Sequence, residues 1–316
     1  PLAQAWDAAG HRMVTSAALE GALRDGGIPA WLGSAEMRAR LEFQSSEPDR
    51  WRGQPSLTLK HAAHPDHYID VEDLEPYGLS LRTLPVFRNE YLKAMIVAQA
   101  ADPARFPTYD TSKDPAREYE WPGFAPYAVA EHYAKLQASF RTLRILEGLD
   151  EPGRSEQIAQ ERANVVYHMG ALSHFVGDIA QPLHTTRHHH GWVGDNPNGY
   201  TTEWGFHSYI DGKILAIHQI GTADIIAAAT FERDVNAQDP WNDTIEEIER
   251  SFAQMEPLYR MQKDGTLEQA PGKAFIVSRL ADASEVLAAM YRAAWATSEP
   301  DGREVRMFMG WTPPAE

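Results

Sequence analysis

The sequence predicts a single, mostly helical domain. Apolar residues recur at helical spacing along most of the 316 residues, and no long segment alternates apolar and polar residues with the period of a β-strand. Neither a repeat nor a low-complexity linker divides the chain. With 43% hydrophobic and 23% charged residues, the chain can bury one sizeable core, which excludes global disorder.

Predicted helices follow one another along the chain. They span residues 10–24, 28–43, 86–101, 126–147, 155–186, 203–219, 222–233, 242–260 and 272–297. Pro182 should kink or end the fifth of them just before His184. The intervening segments are a long ordered loop with short helical turns over 44–84, an irregular excursion over 102–125 and a Gly/Asn/Pro loop over 187–202.

Composition excludes several classes of protein. A net charge of −16 repels phosphate backbones at long range, so nucleic-acid binding would need a local site, and the scattered Arg and Lys residues argue against a duplex-DNA binder. No run of about 20 apolar residues predicts a transmembrane helix. The chain has no cysteine, which removes disulfides, thiolate zinc sites and cysteine nucleophiles. A metal site would therefore be built from histidines and carboxylates.

The N-terminal residues predict a processing site. Ala3-Gln4-Ala5 has the small-x-small pattern of a signal-peptidase site, so residues 1–5 are expected to be a signal-peptide remnant and residues 6–316 the mature domain. A frayed terminus is the alternative. Cleavage implies a secreted or periplasmic protein. It also makes Trp6 a candidate metal ligand, because a terminal α-amino nitrogen and carbonyl oxygen form a five-membered chelate.

Two copies of the pattern His-x-x-x-Asp predict metal ligands. His174 and Asp178 lie in one predicted helix, and His207 and Asp211 lie in another. Residues four apart share a helix face, so each pair presents an imidazole and a carboxylate together, a donor set that suits zinc. An ion pair on a solvated face gives the same pattern. The residues between the ligands are apolar, however, and buried His and Asp side chains need partners.

Further residues extend this set. His184 follows the first pair, His11 begins the first predicted helix, and the loop over 44–84 contains Asp49 and His67. The candidate metal ligands are therefore Trp6, His11, Asp49, His67, His174, Asp178, His184, His207 and Asp211. Nine ligands are too many for one tetrahedral ion.

Together these motifs resemble one family. Trp6 with Gly10-His11, His67-Tyr-Ile-Asp70, the block His174-Phe-Val-Gly-Asp178-Ile-Ala-Gln-Pro-Leu-His184 and His207-x-x-x-Asp211 look like those of the zinc-dependent phospholipase C and single-strand nuclease superfamily, whose fungal members are nucleases S-one and P-one. The resemblance runs from Trp6 to about residue 220. It implies a mostly helical fold with three zinc ions in one cleft, one of them bound by the processed N-terminal residue.

The resemblance also implies roles for single residues. The implied ligand sets are Asp49, His67, His174 and Asp178 for the first zinc ion, His184, His207 and Asp211 for the second, and Trp6 and His11 for the third, with Asp178 bridging. Asp66 and Asp70 are local alternatives to Asp49. Arg52 stands where the nuclease branch places a phosphate-contacting lysine. The candidate catalytic residues are Asp49 and Arg52. Tyr68 and Asp70 stand where that branch stacks and hydrogen-bonds a nucleobase.

The predicted chemistry is hydrolysis of a phosphate ester by direct attack of water. Zinc lowers the pKa of a bound water to about 7, which supplies hydroxide without a strong base. A bridged metal pair would orient that hydroxide, and the remaining zinc with Arg52 would stabilise the charged oxygens. The expected function is a secreted phosphodiesterase of the endonuclease or 3′-nucleotidase type, acting on single-stranded nucleic acid or nucleotides.

Two alternative functions stay open. The phospholipase C branch, which acts on a phospholipid headgroup, typically has Glu at the position of Asp211 and a shorter stretch before it, so the 23 positions from His184 to His207 favour the nuclease branch. Two features do not favour the nuclease branch. Gly212 stands where nucleases usually have Asn, and the chain lacks the cysteines that form disulfides in fungal nucleases. In the second alternative, a non-catalytic exported protein keeps the zinc cluster for stability or zinc binding.

An insertion is expected between His67 and His174, at about residues 75–165, because this stretch is longer than either branch requires. It contains an aromatic segment that includes Tyr119 and Trp121. We expect the insertion to pack as a helical addition. Capping the cleft, stacking bases and touching lipid are the alternatives.

Other histidines have structural interpretations. His61 and His64 are expected to lie beside the ligands or in solvent. The tract His188–His190 is expected in an exposed loop, at the rim of the cleft, and an additional metal-binding tract is the alternative. His168 should face away from His174 on the same helix, in the core or at the surface.

Overall fold

The computed structural model describes residues 6–149, 151 and 153–311, which form one helical domain. No β-strand occurs among these residues, and an isolated bridge joins Ile69 to Gly123. The predicted all-α class is therefore confirmed for this part of the chain. The processing site predicted at Ala3-Gln4-Ala5 lies outside the described residues.

Helices make up most of the domain. In chain order the α-helices are α1 Ala8–Leu23, α2 Ala35–Gln44, α3 Glu47–Arg52, α4 Leu57–Ala63, α5 Arg88–Ala101, α6 Ala125–Leu149, α7 Ser155–Ile179, α8 Phe206–Ser208, α9 Ile214–His218, α10 Thr222–Ala228, α11 Trp241–Phe252, α12 Met255–Lys263, α13 Ala270–Ala296 and α14 Gly302–Trp311. Short 3₁₀ helices lie at Arg24–Gly26, Ala30–Gly33, His64–His67, Val71–Tyr77, Leu81–Thr83, Pro103–Arg105 and Pro182–Thr185, and a π-helical turn spans Tyr209–Lys213.

Four long helices, α1, α6, α7 and α13, form the centre of the domain. α6 packs along α7, and α13 packs on α1, α6 and α7. The sequence of α7 explains its position, because Val165, Met169, Leu172 and Val176 recur every three or four residues and are all buried. Such burial stabilises the fold by about 25 cal/mol per Å² of apolar surface removed from water.

Several predicted helices differ from those observed. α7 ends at Ile179 rather than at residue 186, because Pro182 has no N–H to continue the helix and instead begins a 3₁₀ turn. The helix predicted over 242–260 is divided into α11 and α12, and the one predicted over 203–219 is interrupted by the π-helical turn. The sequence analysis does not predict α14.

The segment over residues 75–165 contains α5 and the core helix α6. The chain between these two helices returns to the loop that carries His67. Asp70 N donates to the carbonyl oxygen of Pro122 at 2.6 Å, and Phe124 N donates to that of Pro65 at 2.7 Å. This segment therefore packs as helices and also reaches the loop of the candidate site.

The N-terminus of α1 is tied to a distant part of the chain. Asp7 caps α1 by accepting hydrogen bonds from the backbone N–H groups of Ala9 at 2.9 Å and Gly10 at 3.0 Å. The N–H of Asp7 donates to the carbonyl oxygen of Asp211 at 2.9 Å. Trp6 is fully buried against Gly10, where an added Cβ would stand 2.7 Å from the Cβ of Trp6. Glycine at position 10 thus makes room for the tryptophan.

Gly170→Ala should lower the free energy of unfolding by about 1–3 kcal/mol. Gly170 lies where α2 packs on α7, and an added Cβ would collide with the Cβ of Gln44 and stand 2.9 Å from its carbonyl carbon. Thermal unfolding followed by circular dichroism measures the effect.

The matched control is Gly148→Ala on α6, where an added Cβ meets nothing within 4 Å. This change should leave Tm unchanged or raise it, because Ala is a better helix former than Gly by about 1 kcal/mol. Equal Tm values for Gly170→Ala and Gly148→Ala would contradict the close approach of α2 and α7.

Candidate metal centre

Three groups of histidine and aspartate side chains lie together in the described part of the chain, all of them buried. Within each group the potential ligand atoms lie within 4.8 Å of one another. The His11 group is His11, His174 and Asp178; the Asp49 group is Asp49, His67 and His174; and the Asp211 group is His184, His207 and Asp211. The structure therefore brings together all the candidate side-chain ligands.

Short segments bring Asp49 and His67 to α7. Asp49 is part of the six-residue helix α3, and His67 ends the 3₁₀ helix that follows α4. His174 lies near the end of α7, where its Nε2 is 3.0 Å from His67 Nδ1 and 3.9 Å from Asp49 Oδ1. The Asp49 group therefore joins the loop over 44–84 to the core.

The two local alternatives to Asp49 have other partners. Asp66 forms an ion pair with Arg88 at 2.6 Å. Asp70 Oδ1 lies 3.8 Å from His189 Nδ1. Among the described residues, neither of these carboxylates belongs to a metal-capable group.

Backbone carbonyl groups orient two of the imidazoles. His174 Nδ1 donates to the carbonyl oxygen of Ser45 at 2.8 Å, and His184 Nδ1 donates to that of His67 at 2.6 Å. Because a carbonyl oxygen only accepts, each ring carries its proton on Nδ1 and leaves Nε2 unprotonated. Unprotonated nitrogen is the form that binds a metal ion.

α8 and the π-helical turn present His207 and Asp211. His207 Nε2 lies 3.4 Å from Asp211 Oδ2, and the rings of His184 and His207 are 4.7 Å apart. Gln181, just after α7, donates from Nε2 to the other carboxylate oxygen of Asp211 at 2.7 Å. Single π-helical turns occur frequently at functional sites, and this one carries a candidate ligand.

The His11 group depends on the close approach of α1 and α7. The rings of His11 and His174 stack with centroids 4.0 Å apart. One oxygen of Asp178 lies 3.4 Å from His11 Nε2, and the other lies 2.9 Å from His67 Nδ1. Gly177 permits this approach, because an added Cβ would stand 2.9 Å from His11 Nδ1. Asp178 thus faces two of the three groups, the position that a bridging ligand requires.

Trp6 lies beside the His11 group. Its ring Cδ1 would be 3.9 Å from a Cβ at Gly177, and the next residue, Asp7, is hydrogen-bonded to the backbone of Asp211. The backbone at Trp6 and Asp7 therefore runs from the His11 group toward the Asp211 group. Metal binding by the main chain of Trp6 stays a prediction.

Burial changes the titration of the candidate ligands. Loss of solvation lowers the pKa well below 6.5 for four histidines: His67, His174, His184 and His207. The same loss raises the pKa values of Asp178 and Asp211 well above 3.8. Neutral imidazoles are ready to bind a metal, whereas buried carboxylates need a cation to replace their hydration.

Buried polar atoms without hydrogen-bond partners bear on whether these residues fit a metal ion. Several buried atoms of the candidate ligands have no hydrogen-bond partner among the described residues, including His67 Nε2, His184 Nε2, His207 Nε2, Asp178 Oδ1 and Asp211 Oδ2. An unsatisfied buried polar atom costs about 1–3 kcal/mol, and a bound cation would satisfy these atoms. Imidazole nitrogen and carboxylate oxygen are donors that zinc accepts. The three groups could therefore hold metal ions.

A cavity opens beside the groups. The residues that line it are Arg52, His64, His67, Tyr68, Tyr119, Leu183, His184, His189, His190 and His207. Arg52, predicted to contact phosphate, is buried against Asp49, whose Oδ1 lies 2.7 Å from Nε and 2.6 Å from Nη2 of the guanidinium. A charged donor therefore stands between the Asp49 group and the cavity.

The residues predicted to bind a base have different positions. Tyr68 lines the cavity, and its hydroxyl donates to the carbonyl oxygen of Glu118 at 2.8 Å. Asp70 is buried next to His189 and is not among the residues that line the cavity. The structure thus places Tyr68, but not Asp70, where a ligand can contact its side chain.

Several histidines that were expected in an exposed loop or in solvent lie at or near the cavity. His188 is buried and stacks on Trp192 with centroids 3.9 Å apart, and His189 and His190 line the cavity, so the prediction of an exposed loop is wrong. His64 lies beside the ligands rather than in solvent. Burial lowers the pKa of His64 to about 3.

The sequence analysis missed two residues that contribute to this site, Gln181 and Glu118, and named Tyr119 only as part of the aromatic segment. Gln181 supports Asp211, and it could have been found, because it stands inside the Gln-Pro-Leu-His part of the motif. Glu118 and Tyr119 reach the site from the segment between α5 and α6, where only the abundance of aromatic residues gave a signal.

Comparisons with known proteins assign no family. No protein-family model matches the sequence, and no curated protein matches it. In the part of the chain that the structure describes, every helix is too short or too polar to cross a membrane. The resemblance to the zinc-dependent phospholipase C and nuclease superfamily therefore rests on the motifs alone.

Asp178→Asn should remove more metal than a change in the Asp211 group. Because Asp178 faces two groups, its loss should release roughly two equivalents of zinc from fully loaded protein, whereas His207→Gln should release about one. Plasma mass spectrometry measures the zinc content, and circular dichroism checks that each variant is folded.

His168→Gln provides the matched control. His168 lies on α7 but belongs to none of the three groups, so this change should leave the zinc content unaltered. An Asp178→Asn protein that retains all of its zinc would refute the shared role of the carboxylate.

Proposed function

We propose that this protein is a zinc-dependent phosphoric ester hydrolase of the single-strand nuclease and 3′-nucleotidase type. The observation that carries the proposal is a cavity lined by Arg52 and by members of two of the buried His/Asp groups, His67 of the Asp49 group and His184 and His207 of the Asp211 group. Bound metal ions and Arg52 would concentrate positive charge there and attract a phosphate to a protein whose net charge is −16. The motif resemblance supports membership of the zinc-dependent phospholipase C and nuclease superfamily.

Three zinc ions would be held by the His11, Asp49 and Asp211 groups. The main chain of Trp6 would complete the ligand set of the His11 group. When bound, zinc lowers the pKa of water to about 7 and offsets the negative charge of phosphoryl oxygens. The protein's own contribution is orientation. The carbonyl groups of Ser45 and His67 fix two imidazoles, and the Gln181 amide fixes the carboxylate of Asp211.

Arg52 would bind and orient the phosphate. A guanidinium has five N–H donors in a planar fork and stays charged at any physiological pH. One side of this fork lies against Asp49, so the remaining donors are available to a phosphoryl oxygen in the cavity. Because Asp49 belongs to a metal group and also holds Arg52, metal binding and phosphate binding would be coupled.

The cavity wall favours a nucleic acid over a phospholipid. Imidazole and phenol rings dominate it, and Leu183 is the only aliphatic side chain among the described residues that line it. Nucleobases stack on aromatic rings with about 1–3 kcal/mol per base. Acyl chains, in contrast, would require an extended apolar surface. We therefore propose single-stranded nucleic acid or nucleotides as the substrate.

Zinc-loaded protein that begins at Trp6 should hydrolyse single-stranded DNA or RNA, and EDTA should abolish this activity. Arg52→Gln should lower kcat/KM by about 10²-fold because it removes a charged donor from the phosphate, while zinc content is retained. Arg52→Lys should recover part of the loss, since it keeps the charge but not the fork. Release of acid-soluble nucleotides measures the rate, with phosphatidylcholine assayed in parallel.

The parallel assays separate the competing functions. Release of phosphocholine without release of nucleotides would assign the protein to the phospholipase branch. If fully metallated protein hydrolyses neither substrate, the groups serve zinc binding or stability. A protein that takes up no zinc would exclude both the enzyme and the zinc-binding alternative.

Residues upstream of Trp6 should weaken the zinc site of the His11 group. In a longer chain the nitrogen of Trp6 belongs to a peptide bond and is no longer a free amine, so the proposed chelate is lost. The protein that begins at Trp6 should bind zinc more tightly and hydrolyse faster than the chain that keeps residues 1–5. Calorimetric zinc titrations and rates compare the two.

Acetylation of the Trp6 amine provides the matched control, because it removes the free amine without lengthening the chain. The acetylated protein should behave like the longer chain. Equal zinc affinity in all three proteins would refute ligation by the N-terminal residue.

A further inference from the structure

We infer that Tyr119 is a stacking platform for the base of the substrate, carried to the cavity by the segment between α5 and α6. This inference rests on the proposed function, because it names the chemical group bound next to the phosphate: a planar aromatic ring. Tyr119 lines the cavity although 48% of its surface is exposed. One part of the side chain is packed, and the rest is accessible to a ligand.

The ring of Tyr119 has a plane orientation similar to those of two other rings beside the cavity. The ring planes of Tyr119 and His189 differ by 9°, with centroids 6.5 Å apart. Those of Tyr68 and Tyr119 differ by 27° at 6.1 Å, and those of Tyr68 and His189 differ by 36° at 6.5 Å. Near-parallel faces suit a flat base, because stacking requires similar plane orientations.

Polar contacts hold the Tyr119 segment in place. Tyr119 N donates to Asp114 Oδ2 at 2.9 Å, and the Tyr68 hydroxyl donates to the carbonyl oxygen of Glu118. Glu118 Oε2 lies 3.1 Å from His64 Nδ1, and the His64 ring packs edge-on against Tyr119 with centroids 4.8 Å apart. The ring is therefore ordered before a ligand arrives, which reduces the entropic cost of binding.

The platform lies close to the candidate metal centre. The ring of His64, which contacts Tyr119, has its centroid 6.4 Å from that of His67, a member of the Asp49 group. Arg52 lines the same cavity. A phosphate held by the metal groups and Arg52 would thus place the base of the same nucleotide within reach of Tyr119.

A quaternary ammonium headgroup is the other ligand that aromatic walls bind. Two cations oppose it here. Arg52 lines the cavity, and Lys60 Nζ lies 3.7 Å from Glu118 Oε1. The carboxylate of Glu118 already faces both Lys60 and His64, so it does not supply a free counter-charge. A neutral, planar ring fits these surroundings better than a cation.

Equilibrium binding to zinc-loaded protein tests the inference without turnover. Adenosine 5′-monophosphate and ribose 5-phosphate share a sugar and a phosphate and differ in the base. The wild-type protein should bind the nucleotide at least about tenfold more tightly than the sugar phosphate. Tyr119→Ala should lose most of this preference and keep its affinity for ribose 5-phosphate, and Tyr119→Phe should behave like the wild type. Isothermal titration calorimetry measures the Kd values.

Phe87→Ala provides the matched control, because Phe87 is an exposed aromatic residue just before α5 and does not line the cavity. It should leave both affinities unchanged. Unchanged nucleotide preference in Tyr119→Ala, equal loss of both affinities, or Tyr119-dependent binding of phosphocholine in place of the nucleotide would each overturn the inference. Base-selective, Tyr119-dependent binding by a protein that hydrolyses no phosphodiester would support the platform and contradict the proposed function.

Discussion

The burial of one carboxylate, that of Asp178, constrains the whole arrangement. Its two oxygens face His11 on α1 and His67 in the loop after α4, at 3.4 and 2.9 Å. Removing a charged carboxylate from water costs several kcal/mol unless hydrogen bonds or a cation replace its hydration. The relative positions of α1, α7 and that loop are therefore constrained by a single side chain. Of the remaining ligands, His174 lies on α7 itself, and His184 follows shortly after its end.

Glycine residues permit the close approaches within this arrangement. Gly177 admits the ring of His11, Gly10 admits Trp6, and an added Cβ at Gly212 would stand 2.6 Å from a carboxylate oxygen of Asp7. Gly212 replaces the Asn expected by comparison with the nuclease branch, and its contact with Asp7 gives a physical reason. A side chain there would displace the residue that caps α1. Glycine at position 212 therefore leaves room for Asp7, the N-cap of α1.

The sequence predicted the ligands carried by helices better than those carried by loops. His174 and Asp178 share a helix face by spacing alone, and their apolar neighbours indicated burial. Nothing local distinguished Asp49 from Asp66, because that choice depends on an ion pair between Asp66 and Arg88 on α5. The position of Tyr119 could not be predicted either, since it depends on where the irregular excursion over 102–125 returns to the core. The π-helical turn had no sequence signal.

Under the proposed function, the contrast between the negative net charge of the protein and a cavity lined by Arg52 and candidate metal ligands bears on substrate choice. A duplex presents a rigid double row of phosphates, most of which would lie against surface of the same sign. A single strand is flexible, so one nucleotide can enter the cavity while its neighbours stay in solvent. Arg52 and the metal groups would then attract the one phosphate that reaches them. The charge distribution itself therefore favours short or single-stranded substrates, without any contact that reads base sequence.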